Sequence, residues 1–220
     1  MTTPATEEQT LRITEIFRSI QGESTRAGLP CSFVRLTGCS LRCVWCDSAY
    51  AFHGGRAVSL GEIVRAVEAH ATDLVELTGG EPLEQEGVYP LATRLLDLGK
   101  TVLVETGGHV AIDRLDPRAI AIVDVKAPGS GMERHNLPEN LGWLRPRDEL
   151  KFVLADRADF DWALARVAAA GLDAGRVVTF SPVWGNLDAA ALAEWILESG
   201  RPIRLGLPIH KILWGDVPGR

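Results

Sequence analysis

The chain has 220 residues, 46% of them hydrophobic and 24% charged, and a formal net charge of −6. That length and apolar content suit one globular domain spanning residues 1–220. Lysine and arginine never run in blocks, and no stretch is long and apolar enough to cross a bilayer, so neither nucleic acid nor a membrane is an expected partner.

The opening residues 1–10 are polar and lack an apolar signal core. Residues 11–17 alternate as a short strand does. Ser19-Ile20-Gln21-Gly22-Glu23-Ser24 then enters a loop marked by Gly22, Gly28 and Pro30. Residues 31–37 read as a buried strand with one charge, Arg35. A lone guanidinium there suits either one carboxylate ligand or a structural ion pair.

That strand delivers Gly38-Cys39-Ser40-Leu41-Arg42-Cys43-Val44-Trp45-Cys46-Asp47-Ser48, which holds three of the four cysteines in the spacing C-x3-C-x2-C. Three thiolates within eight residues reach one metal centre unaided. Structural zinc usually closes a shell of four protein ligands. An iron–sulfur cube takes one thiolate per iron, so three thiolates leave one iron open. A zinc knuckle with His53 as fourth ligand, a disulfide pair and buried core thiols are the rival readings. Bunched cysteines are no secreted disulfide framework, which points to a reducing cytoplasm.

A helix follows over 60–71, started by the capping box Ser59–Glu62 and faced with Ile63, Val64 and Val67. Residues 73–78 form the next strand, ending in Thr78-Gly79-Gly80-Glu81-Pro82. Two glycines there permit close backbone approach to a ligand, although alone they also describe an ordinary turn. Further helices are expected over 88–98, 157–170 and 188–199, and strands over 101–105, 119–125, 149–154, 176–180 and 202–207. An irregular excursion fills 129–147, and a Gly/Pro-rich tail ends the chain. Strands alternating with helices predict an α/β fold with a mainly parallel sheet. About six βα-type strands after the cysteine loop are too few for a closed eightfold barrel, so an open, partial (β/α) barrel is expected.

The cysteine spacing with Trp45 before the last thiol, followed one strand later by Gly79-Gly80-Glu81-Pro82, resembles the radical S-adenosylmethionine (SAM) superfamily. Within it, Ser19–Glu23, Phe33–Cys39, Cys46-Asp47-Ser48, Thr78, Asp124–Gly131 and His210-Lys211 resemble the 7-carboxy-7-deazaguanine synthases over nearly the whole chain. The resemblance implies a trimmed radical SAM barrel and a lyase. Its reaction turns 6-carboxy-5,6,7,8-tetrahydropterin into 7-carboxy-7-deazaguanine, with loss of ammonia, for queuosine or deazapurine biosynthesis.

It implies a [4Fe-4S] cluster on Cys39, Cys43 and Cys46, and SAM against Trp45, Cys46, Asp47, Gly80, Asp124, Val125, Lys126, Ser181 and Pro182. It places substrate on Ile20, Gln21, Gly22, Glu23, Arg35 and Thr78, and Mg2+ on Ser48, where the family usually has Thr and where a simple turn residue is the alternative. It also implies an electron donor such as flavodoxin or ferredoxin, and a homodimer. Ser24 replaces a frequent Gly, and Ser181 and Pro208 stand where Gln is frequent. A radical SAM activase that makes a glycyl radical, or a non-catalytic zinc-binding module, are the competing functions.

Overall fold

The computed structural model describes residues 9–219. The polar stretch 1–8 and residue 220, and with them both ends of the expected 1–220 unit, lie outside the described residues. The chain starts with β1 (Thr10–Ile20), which pairs antiparallel with β2 (Pro30–Leu36) on one side and with β3 (Arg56–Ser59) on the other. Beyond β2 every added strand is parallel: β4 (Leu74–Gly79), β5 (Thr101–Thr106), β6 (Ile120–Asp124), β7 (Glu149–Leu154), β8 (Val177–Pro182) and β9 (Arg204–Leu205). The resulting sheet runs β3-β1-β2-β4-β5-β6-β7-β8-β9, and its two end strands do not pair with each other. It is the expected open barrel, with six parallel strands after the cysteine loop.

Helices cover the outer face: α1 (Leu60–Ala69), α2 (Val88–Asp97), the single turn α3 (Asn140–Trp143), α4 (Arg157–Ala170) and α5 (Ala189–Ser199), while α6 (Ile209–Trp214) lies at the cavity, which His210 and Lys211 line. Among the described residues no helix joins β5 to β6, so the barrel is trimmed in its helical layer as well. The predicted capping box starts α1: Ser59 Oγ accepts from Glu62 N at 3.2 Å, and Ser59 N donates to the Glu62 carboxylate at 3.0 Å. Four elements differ from expectation, among them the single turn α3 inside the stretch 129–147 read as irregular. The short β3 escapes sequence reading because only Val58 of its four residues is buried. The last strand shrinks to two residues, and the tail contains α6.

Side chains alternate across each strand. One set, including Leu36, Leu77, Val104, Phe152 and Phe180, packs against Ile63, Leu91, Phe160 and Leu192 of the helices. The other set faces the barrel interior. Near the strand N-termini it is apolar: Cys31, Phe33, Leu74, Leu103, Ile120 and Ile122 form a plug against Phe17. Cys31 is fully buried there, as its place on a strand suggested. Toward the C-terminal ends the same set turns polar, with Glu76, Glu105, Asp124, Lys151 and Ser181 on a cavity wall. The outer core contains an aromatic group in which Phe180 meets Phe152 and Phe160 edge-on, at 5.3 and 5.7 Å between centroids. Phe180→Ala should therefore lower unfolding free energy in denaturant titration by about 3–5 kcal/mol, and a loss below ~1 kcal/mol would contradict this packing.

Candidate active site

The C-terminal ends of the parallel strands surround one cavity of about 590 Å³. Parallel α/β sheets bind ligands at this end because loops, free of the sheet's pairing, converge there. The loop after β2 carries Cys39, Cys43 and Cys46, all free thiols and all on the cavity wall. Burial pushes the Cys39 thiol up to about 11, so metal loading releases protons.

Neighbouring segments hold this loop. The turn after β4 bonds it directly: Glu81 N donates to Gly38 O at 2.7 Å, and Gly80 N donates to Leu36 O at 3.0 Å. A Cβ on Gly80 would overlap the Gly38 carbonyl, so only glycine allows this contact. The segment after β6 holds the far side, where Val44 N donates to Ser130 O at 3.1 Å and the Trp45 ring lies against Gly129. Gly129 N is in turn anchored by buried Asp159 at 2.8 Å. From the tail, the largely buried Lys211 bonds Asp47 at 2.8 Å and Asp216 at 3.1 Å.

The donor set fits a cluster with SAM. Three half-buried thiols line one wall beside Gly80. Among the described residues no three His, Cys, Asp or Glu side chains converge on a single ion. A cube distributes its thiolates over separate irons, so that wider spread is no obstacle. Asp124 bonds Lys126 through Oδ2 at 2.8 Å, while its buried Oδ1 has no partner and remains an acceptor on the cavity wall. Burial works against the Lys126 ammonium, but Asp124 and Cys43 together outweigh it and hold Lys126 above its ordinary range.

Trp45, Asp47, Ser48, Thr78, Ser181 and Pro182 share the same cavity with Ile20, Gln21, Gly22, Glu23 and Arg35. Val125 differs: it packs against the outer core, and its amide donates to Lys151 O at 2.8 Å. Ser48 Oγ lies 3.4 Å from Gly79 O and 3.8 Å from Cys46 Sγ. Arg35 uses Nε for Glu15, at 2.7 Å, and its guanidinium sits between the rings of Phe17 and Tyr50 at 5.8 and 5.6 Å. Tyr50 also donates to Glu15 at 2.8 Å. Arg35 is thus ion-paired and ring-clamped at once.

The cavity floor is a charged layer that sequence reading missed. Lys151 bonds Glu105 at 2.8 Å and also bonds Glu23, while Gln21 bonds Glu76. Burial drives the Glu76 carboxyl well up, with Glu105 adding to it. Burial also opposes the Glu105 carboxylate, but Lys151 outweighs it and keeps Glu105 below its ordinary range. A neutral Glu76 therefore donates to an ionised Glu105. The signal was a charge at an inward position of an otherwise largely apolar strand: one each in Leu74–Gly79 and Thr101–Thr106, and Lys151 beside Glu149 in Glu149–Leu154. Tyr50 and His210 also line the cavity and went unassigned.

Because folded Glu76 holds its proton more tightly than the unfolded chain does, its contribution is full below about 4.5 and is lost as pH rises through the raised value. Glu105, Glu23 and Lys151 are the charged groups around it. Glu76→Gln stays neutral throughout, so its melting temperature should decline less than wild type's on the alkaline side. Parallel melting curves across pH would refute the assignment.

The model of the Radical SAM superfamily matches residues 33–125. A 7-carboxy-7-deazaguanine synthase of Chlorobaculum tepidum is 46% identical over 210 residues, covering 94% of this chain and 96% of that one. The synthase of Koribacter versatilis is 46% identical over 220 residues (93% and 97%), and that of Thermoplasma acidophilum 41% over 209 (94% and 99%). The crystal structure of QueE from Escherichia coli superposes with a TM-score of 0.76 at 22% identity, covering 91% of this chain and 95% of that one, which is a likeness of fold. With the cysteine loop and the Gly-Gly turn meeting as described, the chain belongs to the 7-carboxy-7-deazaguanine synthase family of radical SAM enzymes.

Proposed function

We propose that the chain converts 6-carboxy-5,6,7,8-tetrahydropterin to 7-carboxy-7-deazaguanine and ammonia. One observation carries this reading: a single cavity is lined both by Cys39, Cys43 and Cys46 and by Arg35, Glu23 and Thr78. The bound cluster and SAM supply the one-electron chemistry, and the protein supplies orientation and exclusion of water. SAM lies along Trp45, Cys46, Asp47, Gly80, Asp124, Lys126, Ser181 and Pro182, with Val125 contributing backbone only. Asp124 Oδ1 accepts from a cofactor hydroxyl.

The pterin lies along Ile20, Gln21, Gly22, Glu23 and Thr78. Arg35 Nε is committed to Glu15, so its terminal nitrogens receive the substrate carboxylate, and Phe17 and Tyr50 keep the guanidinium plane still. The floor carboxyls Glu76 and Glu105 accept from the N–H-rich pterin edge. Ser48 Oγ serves Mg2+, whose remaining ligands are waters and substrate oxygens. The enzyme works as a homodimer of single-domain subunits in a reducing cytoplasm. Its electron comes from a donor such as flavodoxin or ferredoxin.

Anaerobic reconstitution tests the reading. About four irons and four sulfides per chain are expected, and mixing with SAM, reductant and the carboxytetrahydropterin should yield the deazaguanine and ammonia. Zinc without acid-labile sulfide would favour a zinc module. SAM cleavage with the pterin untouched would favour a glycyl-radical activase. Arg35→Lys keeps the charge but loses the fork, and should raise KM roughly 10- to 100-fold, the equivalent of one charge-assisted hydrogen bond of ~1.5–3 kcal/mol. An unchanged KM would remove Arg35 from carboxylate recognition.

A further inference from the structure

His109 lies just past β5, after Thr106-Gly107-Gly108, and no role in the reaction has been assigned to it. Its side chain is 9% exposed. Nε2 stands 3.0 Å from Glu84 Oε1 and 3.1 Å from Ser40 Oγ. Nδ1 lies 3.6 Å from Glu81 Oε2 and has no hydrogen-bond partner. One imidazole therefore touches both acids of the turn that follows β4, together with the residue after Cys39.

The surroundings are built to admit the ring. Gly108 turns the chain at a φ of +74°, a left-handed conformation that favours glycine. A Cβ on Gly107 would stand only 3.2 Å from His109 Nδ1 and 3.3 Å from Glu81 Oε2, tighter than side chains normally pack. Glu81 is fixed independently by Thr106 Oγ1, Gly107 N and Leu83 N at 2.8, 2.7 and 3.0 Å. Ser40 N donates to Glu84 Oε1 at 3.0 Å. Ser40, Glu84 and His109 thus close a triangle, with Glu81 as its fixed corner post. Because Glu84 is an acceptor, Nε2 carries the proton and donates to Glu84 and to the Ser40 hydroxyl oxygen, which accepts.

We propose that His109 is a positioning residue for the cysteine loop: through Ser40 it holds Cys39 against the Gly-Gly turn in the geometry that receives the cluster. This rests on Cys39 being an iron ligand. Outer partners that orient metal ligands commonly govern retention of the metal as strongly as they govern activity. The residue also links the loops after β2, β4 and β5, so its loss frees the thiol on its own loop and slackens the turn that meets SAM.

The test compares wild type with His109→Ala, His109→Gln, His109→Phe and Ser40→Ala, each checked by thermal melting and then reconstituted anaerobically. The readouts are the rate of iron loss to a chelator and the electron paramagnetic resonance spectrum of the reduced cluster with and without SAM. His109→Ala and Ser40→Ala should lose iron about 10- to 100-fold faster than wild type, with an altered spectral response to SAM. His109→Gln, whose amide nitrogen reaches the Nε2 position, should restore retention. His109→Phe fills the space without a donor and should fail. Rescue by Phe and not Gln, or wild-type iron retention in His109→Ala, would overturn the proposal. Ser40 is exposed, so Ser40→Ala keeps the test decisive if an alanine at 109 does not fold. A wild-type protein that takes up no iron–sulfur cluster would sink the ligand reading and this proposal together.

Discussion

The interior of this open sheet depends on one buried cation. Lys151 of β7 reaches across to Glu105 of β5 and at the same time holds Glu23 from the loop between β1 and β2. Two further contacts fasten that loop to the strands: Gln21 to Glu76 of β4, and Thr25 to Glu149 of β7. A buried pair of this kind contributes little net stability, since desolvation offsets the attraction, but a charge left alone is costly. What the layer achieves is placement. It sets residues 20–25 at one depth in the cavity, above the apolar plug of Phe33, Leu74, Leu103 and Ile122, and it leaves one neutral and one charged carboxyl facing inward.

The second constraint is crowding at the strand ends. Parallel strands bring their following loops into contact, and the cysteine loop is gripped by the loops after β4 and β6 and by the tail. Close backbone approach is why Gly79 adopts a φ of +134° and why Gly80 lies against the Gly38 carbonyl. The grip reaches the substrate side too. Ile209 N donates to Gly22 O at 3.0 Å, and the His210 ring occupies the space a Cβ at position 22 would need. The tail therefore ties the loop that carries Gln21 and Glu23 to the loop that carries Cys46 and Asp47.

Much of this was legible because local rules and tertiary structure agree. The helix α4 and strand β7 fall where periodicity puts them, and Ser59 caps α1 as its spacing with Glu62 demands. The cysteine spacing and the Gly-Gly turn could be read because their chemistry is local. The floor could not. Glu76, Glu105 and Lys151 lie on separate strands, and only the parallel register brings them together. The tail helix α6 was hidden by flanking Pro208 and Gly215, and it is kept in place by the buried Lys211 rather than by an apolar face, since Ile212 and Leu213 are exposed. Val125 shows the opposite case: within a motif, alternation still sends one side chain to the core and leaves only its backbone toward the site.

The departures from the family pattern sit at the edge of the cavity. Ser48, Ser181 and Pro208 all line it, while every cysteine and the Gly-Gly turn are intact. Ser181 shares its corner with Gly206, where a Cβ would press on Thr179 at 2.6 Å, so the wall here is short on both sides of the β8–β9 pair. A longer amide at position 181 has no room toward Gly206 and would project into the cavity; serine leaves that volume open. Ser24 holds a left-handed φ of +63°, and its hydroxyl offsets part of that strain by accepting from Arg26 N at 3.1 Å. These changes alter the shape offered to the rim of a ligand without moving a thiol or the turn beside it. Their weight therefore falls on the shape of the cavity rim, and the reaction class stays with the cysteine loop and the elements that grip it.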